Sequence, residues 1–283
     1  MNSKASDMTC VYVESNDCKD GKANESYYDT TSKKVITCSS SKCLLSSASG
    51  YYIDYGSNDN KTYLITCSNS SCTTEDHSSA GGGVEFFLNA GPDKSSKPII
   101  YFNGTNFSPI SGDTTGVYKD NGSTSNNVIT CQSVTKCSSN TYESGIFISS
   151  AHIQYNTKNS EPLIECSSSG CNPKNLDNVG TGNYTNNAYF VDRLTSKLIQ
   201  CDVSSSIACS VINREISNKY YLDYTTYSSS CDSNGLFTNS KTKSSYCALN
   251  VIYCNSSSIC KSQAISSESQ FIDGDDSVNI NLW

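Results

Sequence analysis

Cysteine is the side chain best placed to do chemistry in this chain. There are sixteen in 283 residues, and most come in short pairs. Thiols can oxidise to disulfides or, as thiolates, hold zinc. The pairs are Cys10/Cys18, Cys38/Cys43, Cys67/Cys72, Cys131/Cys137, Cys166/Cys171, Cys201/Cys209 and Cys254/Cys260, which leaves Cys231 and Cys247 as an eighth. An even number of cysteines in local pairs reads as a set of disulfides formed in an oxidising compartment. Zinc favours Cys-x2-4-Cys ligand pairs and four thiolates per site. Several pairs here have four intervening residues, but the other short ones have five to seven, a scatter that suits staples better than ligands. No metal and no cofactor are therefore expected.

Other reactive types are sparse or regular. His77 and His152 are the only histidines and fall far apart, so each is expected to pack or lie on the surface rather than act as a base. Carboxylates recur as Asp29, Asp54, Asp120, Asp192, Asp223 and Asp273, each at the end of a short apolar patch. A residue type that returns at one place in most copies of a repeat reads as a turn former. A β-helix polysaccharide lyase or hydrolase would instead cluster its acids with Arg, Lys or Ca²⁺. Asp273-Gly274-Asp275-Asp276 lacks the spaced ligands and terminal Glu of a calcium loop. The chain is not expected to be an enzyme.

The elements that carry the cysteines form a repeat. Each copy opens with a four-residue patch: Tyr51-Tyr52-Ile53-Asp54, Phe86-Phe87-Leu88-Asn89, Val117-Tyr118-Lys119-Asp120, Ile146-Phe147-Ile148-Ser149, Tyr189-Phe190-Val191-Asp192, Tyr220-Tyr221-Leu222-Asp223 and Leu236-Phe237-Thr238-Asn239. Glycine often precedes it, as at Gly50, Gly116, Gly145 and Gly235. A polar loop follows, then a Val/Leu-Ile-x-Cys patch that leads to the second cysteine. First cysteines are 28, 29, 35 and 35 residues apart where the copies are clean. The copies are expected to end near 18, 43, 72, 107, 137, 171, 209, 231 and 260, with 261–283 as a cap. The copy at 86–107 has Phe102 and Phe107 where others have cysteines, which predicts that the sulfurs point inward. A short third strand is hinted at by Leu44-Leu45 and Ser210-Val211-Ile212.

Strand periodicity of two puts Ile36, Ile65, Ile100, Ile129, Ile164, Ile199 and Ile252 on the core side with the first cysteine, and the aromatic second position of the first patch inside as well. A unit of about thirty residues buries too little to fold alone. A staple closing about six residues adds far less than the conformational entropy that must be offset. Copies must therefore bury one another. The expected fold is all-β: a disulfide-stapled solenoid, resembling a parallel β-helix, of about nine or ten coils. Stacked antiparallel hairpins are the alternative. With position two inside, positions one and three face out, yet they are apolar: Tyr51 and Ile53, Phe86 and Leu88, Ile146 and Ile148, Tyr189 and Val191, Tyr220 and Leu222. Such a stripe marks a partner-binding surface unless the segments 73–83 and 172–187, or glycans, cover it.

Composition narrows the partner. Net charge is −7 with only two arginines, which disfavours nucleic acid and anionic membranes. No apolar run approaches the ~18 residues of a membrane helix. Eight Asn-x-Ser/Thr sequons, at Asn24, Asn60, Asn69, Asn103, Asn106, Asn121, Asn183 and Asn255, add to the extracellular reading and offer sites for N-glycans. Met1-Asn2-Ser3-Lys4 leads straight into polar sequence, and Met8-Thr9-Cys10 matches Ile36-Thr37-Cys38, as in a fragment cut from a longer array.

The serial form Gly-Tyr-Tyr-x-Asp, polar loop, Leu-Ile-x-Cys-Ser-Ser-Ser-x-Cys resembles the scaffoldin repeats of anaerobic gut fungi. The match is clearest at Gly50 to Cys72, and also at Tyr28 to Cys43, Gly145 to Cys171 and Tyr189 to Cys209. The resemblance implies a cohesin-like role in a cellulosome, in which the repeats hold dockerin domains of secreted plant-cell-wall-degrading enzymes. The copy at Phe86 to Phe107 and those after Cys209 depart from the pattern. A structural or adhesive wall protein is the alternative from another class.

Overall fold

The structure is a computed structural model. It describes residues 10–14, 17–40, 42–46, 48–56, 61–69, 71–78, 83–122, 126–151, 161–176, 187–203, 207–213, 216, 218–226, 250–264, 269–272 and 279–282, with backbone alone for 10–20, 222, 226, 269–272 and 279–282. The chain divides into two compact units, Met1–Thr141 and Tyr142–Trp283.

The first unit holds a hairpin and four three-stranded sheets. The hairpin is β1 (Cys10–Glu14) and β2 (Asp17–Asp20). The sheets are β3 (Ser26–Asp29), β4 (Lys34–Cys38), β5 (Cys43–Ser46); β6 (Gly50–Ile53), β7 (Tyr63–Ser68), β8 (Ser71–Asp76); β9 (Glu85–Leu88), β10 (Ile99–Phe102), β11 (Phe107–Pro109); and β12 (Gly116–Lys119), β13 (Asn127–Ser133), β14 (Lys136–Thr141). The second unit repeats the form: β15 (Gly145–Ile148), β16 (Leu163–Ser167), β17 (Gly170–Lys174); β18 (Asn187–Val191), β19 (Leu198–Asp202), β20 (Ala208–Val211); β21 (Lys219–Leu222), β22 (Asn250–Cys254), β23 (Cys260–Ala264); and a hairpin of β24 (Ser269–Ile272) and β25 (Asn279–Leu282).

Every three-stranded sheet is an antiparallel meander with the Ile-x-Cys strand, or its Ile-x-Phe equivalent, in the middle. The expectation of parallel strands running from coil to coil is corrected here. Parallel pairing is confined to isolated bridges between successive first strands, Ser26 with Asp54, Tyr51 with Asn89 and Ile146 with Asp192. The expected third strand is present. β21 pairs directly with β22, Tyr221 opposite Ile252, and the expected copy ending near Cys231 lies outside the described residues. Leu236 to Asn239, Cys231 and Cys247 lie outside the described residues, as does His152.

The staples follow the pleat. Cys38 faces Cys43, Cys67 faces Cys72, Cys131 faces Cys137, Cys166 faces Cys171, Cys201 faces Cys209 and Cys254 faces Cys260, all directly opposed and all bonded, with Cα atoms 3.9–4.0 Å apart. The first pair departs from this order. A register shift between Cys10 and Tyr12 sets Cys10 opposite Asp20 and Cys18 opposite Val13, so these two cysteines are not directly opposed. Their side chains lie outside the described residues, and the expected Cys10–Cys18 staple is therefore not among the bonds shown.

Cysteines at such close-paired positions turn their own N–H groups away from the partner strand. That outward amide is used between copies. Cys72 N–H donates to Lys33 C=O at 2.8 Å, and Cys260 N–H to Ser196 C=O at 2.7 Å. Phe107, in the cysteine-free copy, donates in the same way to Lys61 C=O at 2.9 Å. The three acceptors are left-handed residues (φ 52–56°) in the preceding copy's first turn.

A second link joins first strands. The N–H two residues past each strand donates to the preceding copy: Tyr55 to Ser26, Ala90 to Tyr51, Asn121 to Phe86 and Arg193 to Ile146, at 2.9–3.0 Å. The glycine at the head of the strand makes room for this approach. Gly50 (φ +137°) and Gly145 (φ +144°) have a backbone closed to other residues, and a Cβ would meet Ala90 Cβ at 2.4 Å and Arg193 Cγ at 2.7 Å respectively.

Both faces of each sheet are core. Ile65, Ile100, Ile129, Ile164, Ile199 and Ile252 are buried as expected, while Ile36, in the first copy with described side chains, is half-buried. The residue before each Ile, Val35, Leu64, Ile99, Val128, Leu163, Leu198 and Val251, is buried too. Buried tyrosines make this interior sensitive to base. Burial, helped by Asp93 and Glu25, pushes the Tyr55 phenol up to about 12, and burial raises Tyr51, Tyr52 and Tyr101 as well. A folded value above the ordinary one near 10 means stability that is complete below pH ~10 and lost as pH rises toward ~12. Urea midpoints measured across that window should fall steeply, and a flat profile would contradict the burial of these rings.

Candidate interaction surface

Of the ten residues read as an outward stripe, the nine whose side chains are described are buried or half-buried. Ile53, Phe86, Ile146 and Tyr189 are buried, and Tyr51, Leu88, Ile148, Val191 and Tyr220 are half-buried; the side chain of Leu222 lies outside the described residues. Much of the cover comes from the next copy, and Leu176, at the start of the segment 172–187, packs in the cluster that holds Ile146 and Tyr189. The first-position ring of one copy packs on the second-position ring of its successor: Tyr51 on Phe87 at 5.5 Å, Phe86 on Tyr118 at 5.2 Å and Tyr189 on Tyr221 at 4.8 Å. Ile53 and Leu64 share a cluster with Phe87, Ile100, Phe102 and Phe107 of the following copy. A strand apolar on both sides is covered on both sides, as the pattern required, largely by repetition of the unit itself.

Asp29, Asp54, Asp120, Asp192 and Asp223 are turn formers, as expected, and the last four are also buried, while Asp273 lies outside the described residues. Oδ1 of Asp54, Asp120 and Asp223 accepts the N–H two residues on, from Gly56, Gly122 and Thr225 at 2.9–3.0 Å. Asp29 does the same for Thr31, and the Ser32 hydroxyl holds its carboxyl below the usual carboxylate range. Burial of a carboxylate requires donors on its remaining lone pairs. In two copies one unforeseen arrangement supplies them. Ser139 donates to Asp120 and accepts from Asn127 Nδ2 at 3.0 Å, while Ser262 donates to Asp223 and accepts from Asn250 Nδ2 at 3.1 Å. These Asn-Ser-Asp relays tie all three strands of a sheet together at one end. Both serines lie two residues past the second cysteine, a recurrence that the sequence does display.

His77 is a packing residue. Its ring stands edge-on to Phe107 at 5.0 Å, Phe102 at 5.5 Å and Phe87 at 6.0 Å, and Nδ1 lies 2.8 Å from a Glu85 carboxylate oxygen. Phe102 and Phe107 are themselves directly opposed, 4.7 Å apart and buried, so two rings occupy the place of a disulfide.

Exposed surface concentrates on the third strands and the turns. Each third strand is an edge of its sheet, and β8, β11 and β23 are engaged with the preceding copy at Cys72, Phe107 and Cys260. Most present polar side chains: Thr73, Glu75 and Asp76 on β8, Ser138 and Thr141 on β14, Lys261, Ser262 and Gln263 on β23. Asp76 is held below the usual carboxylate range by the Ser78 amide. β5 is different: Leu44 and Leu45 are 53% and 51% exposed side by side. The remaining large exposed apolar residues, Val134, Leu194 and Ile259, stand singly in turns. Among the described residues no group of His, Cys, Asp and Glu is arranged to hold a metal ion, and no helix is long and apolar enough to cross a membrane. The chain matches no known protein-family model, no curated protein and no solved structure. Its disulfides suggest an extracellular or secreted protein.

Proposed function

We propose that this chain is a secreted, non-catalytic scaffold of solenoid type whose copies hold cysteine-rich dockerin domains of plant-cell-wall-degrading enzymes, as in a fungal cellulosome. The observation that carries the reading is the recurrence of a third, edge strand in each three-stranded sheet, largely polar and exposed on β8, β14 and β23. Recurrence of one surface suits a protein that repeats one act of binding. The serial resemblance to gut-fungal scaffoldin repeats supports it, and the recurrent acids are engaged in turns rather than gathered around a cleft. The binding surface is then the third strand, with the aromatic pairs between copies setting its spacing, and the ten stripe residues act by building the scaffold. An edge strand offers main-chain hydrogen bonds to an incoming segment, and its side chains supply selectivity.

The test is calorimetric titration of the folded chain with a purified dockerin domain. Leu44→Ser with Leu45→Ser should lower the number of dockerins bound by one while leaving the far-ultraviolet circular dichroism unchanged. If the intact chain retains no dockerin, the structural wall-protein reading takes its place.

A further inference from the structure

We propose that the chain carries N-linked glycans at the tips of its stapled hairpins, on Asn69, Asn103 and Asn255. The three belong to Asn-Ser-Ser, Asn-Gly-Thr and Asn-Ser-Ser sequons and occupy one place in the repeat, the turn between second and third strands, one or two residues after the first cysteine or its Phe102 replacement. Asn69 and Ser71 are both exposed, as are Asn103 and Thr105; Asn255 is half-buried and Ser257 is exposed. At Asn103 and Asn255 the turn uses the side-chain oxygen. Asn103 Oδ1 accepts from Thr105 and Asn106 N–H at 2.8 and 2.9 Å, and Asn255 Oδ1 accepts from Ser257 and Ile259 N–H at 2.9 and 3.0 Å. A sugar on Nδ2 keeps these acceptor bonds, so the modified side chain fits the folded turn. Asn69, at φ +49°, starts a two-residue loop between the paired residues Ser68 and Ser71.

Asn121 shows the contrast. It lies at the opposite end of its sheet, in the turn between first and second strands, and is half-buried. Its N–H and Oδ1 engage Phe86 C=O and N–H of the preceding copy at 2.9 and 3.1 Å. A glycan there would crowd the junction between copies.

The transfer requires a lipid-pyrophosphate-linked oligosaccharide. Asn Nδ2 bonds to the anomeric carbon, that carbon's bond to pyrophosphate breaks, and the amide proton leaves to solvent as the lipid pyrophosphate departs. The inference rests on the secretory part of the proposed function and not on dockerin binding. Its test is secretion of the chain from a eukaryotic host, non-reducing peptide mapping, and deglycosylation by peptide N-glycosidase in ¹⁸O water. Isotope-marked aspartate is expected at positions 69, 103 and 255 and not at 121, and Asn69→Gln should remove one glycoform. Bare asparagine at all three tips in material whose disulfides are intact would overturn the proposal, as would marking at 121 in preference to the tips. Free thiols in the same map would instead strike the secretory reading.

Discussion

Ile53→Ser combined with Tyr51→Ser should unfold the first unit rather than silence a binding site. Ile53 is 4% exposed, and Tyr51 packs on the Phe87 ring of the next copy. Truncating a buried Ile costs about 2–5 kcal/mol, and a hydroxyl left without a partner there adds more. Against a typical domain stability of roughly 5–15 kcal/mol, the double change removes much of what holds this unit. Urea denaturation followed by tyrosine fluorescence and circular dichroism should show a large drop in midpoint. An unaltered transition would mean that these side chains face solvent after all. Leu44→Ser is the matched control: on an exposed strand it should alter stability by no more than about 0.5 kcal/mol.

The second large effect is expected at the copy without cysteines. Phe107 is 1% exposed and touches Phe102, Phe87 and His77. Phe107→Ala leaves a cavity where other copies have a covalent bond, and about 3–5 kcal/mol should be lost. The loss should be the same with and without reductant, because no sulfur is involved. A companion variant, Phe102→Cys with Phe107→Cys, restores the staple at directly opposed positions. It should oxidise without free thiols and recover part of the stability of Phe107→Ala, in a manner that dithiothreitol reverses. Persistent free thiols would show that the pair is not in staple register.

Much of this architecture is legible in the chain. The two-residue period of Leu64-Ile65-Thr66-Cys67 places Ile65 beside the sulfur, and the Phe102/Phe107 substitution reveals that the sulfurs point inward. The third strand shows only faintly, since Ser138 to Thr141 has no apolar alternation, as expected of an edge that faces water. What the pattern could not decide was the cover on Tyr51, Phe86 and Tyr189. Period two says that a strand is apolar on both faces, but not whether a loop, a partner or the next copy lies against the second. Antiparallel order was equally hidden, because a central strand buried on both sides reads alike in either kind of sheet. Spacing alone also could not show that Cys18 falls opposite Val13, since a register shift leaves no mark on the interval between two cysteines. Local composition carries no record of which strands pair, so the pairing of β21 with β22 across a long stretch of sequence could not be read from the chain. His77 could not be placed from sequence, because its neighbours Phe102 and Phe107 come from the following copy.

The placement of the sulfur bonds has a mechanical corollary. Among the described residues each ties two strands of one copy, and copies meet through apolar faces and main-chain bonds such as Tyr55 to Ser26 and Cys72 to Lys33. Within either unit, a pull across neighbouring copies loads the joints before the staples. Copies should come apart one by one, each still knotted at its hairpin and releasing only part of its contour length. Copies joined in this way should part in steps under load and re-form when it drops.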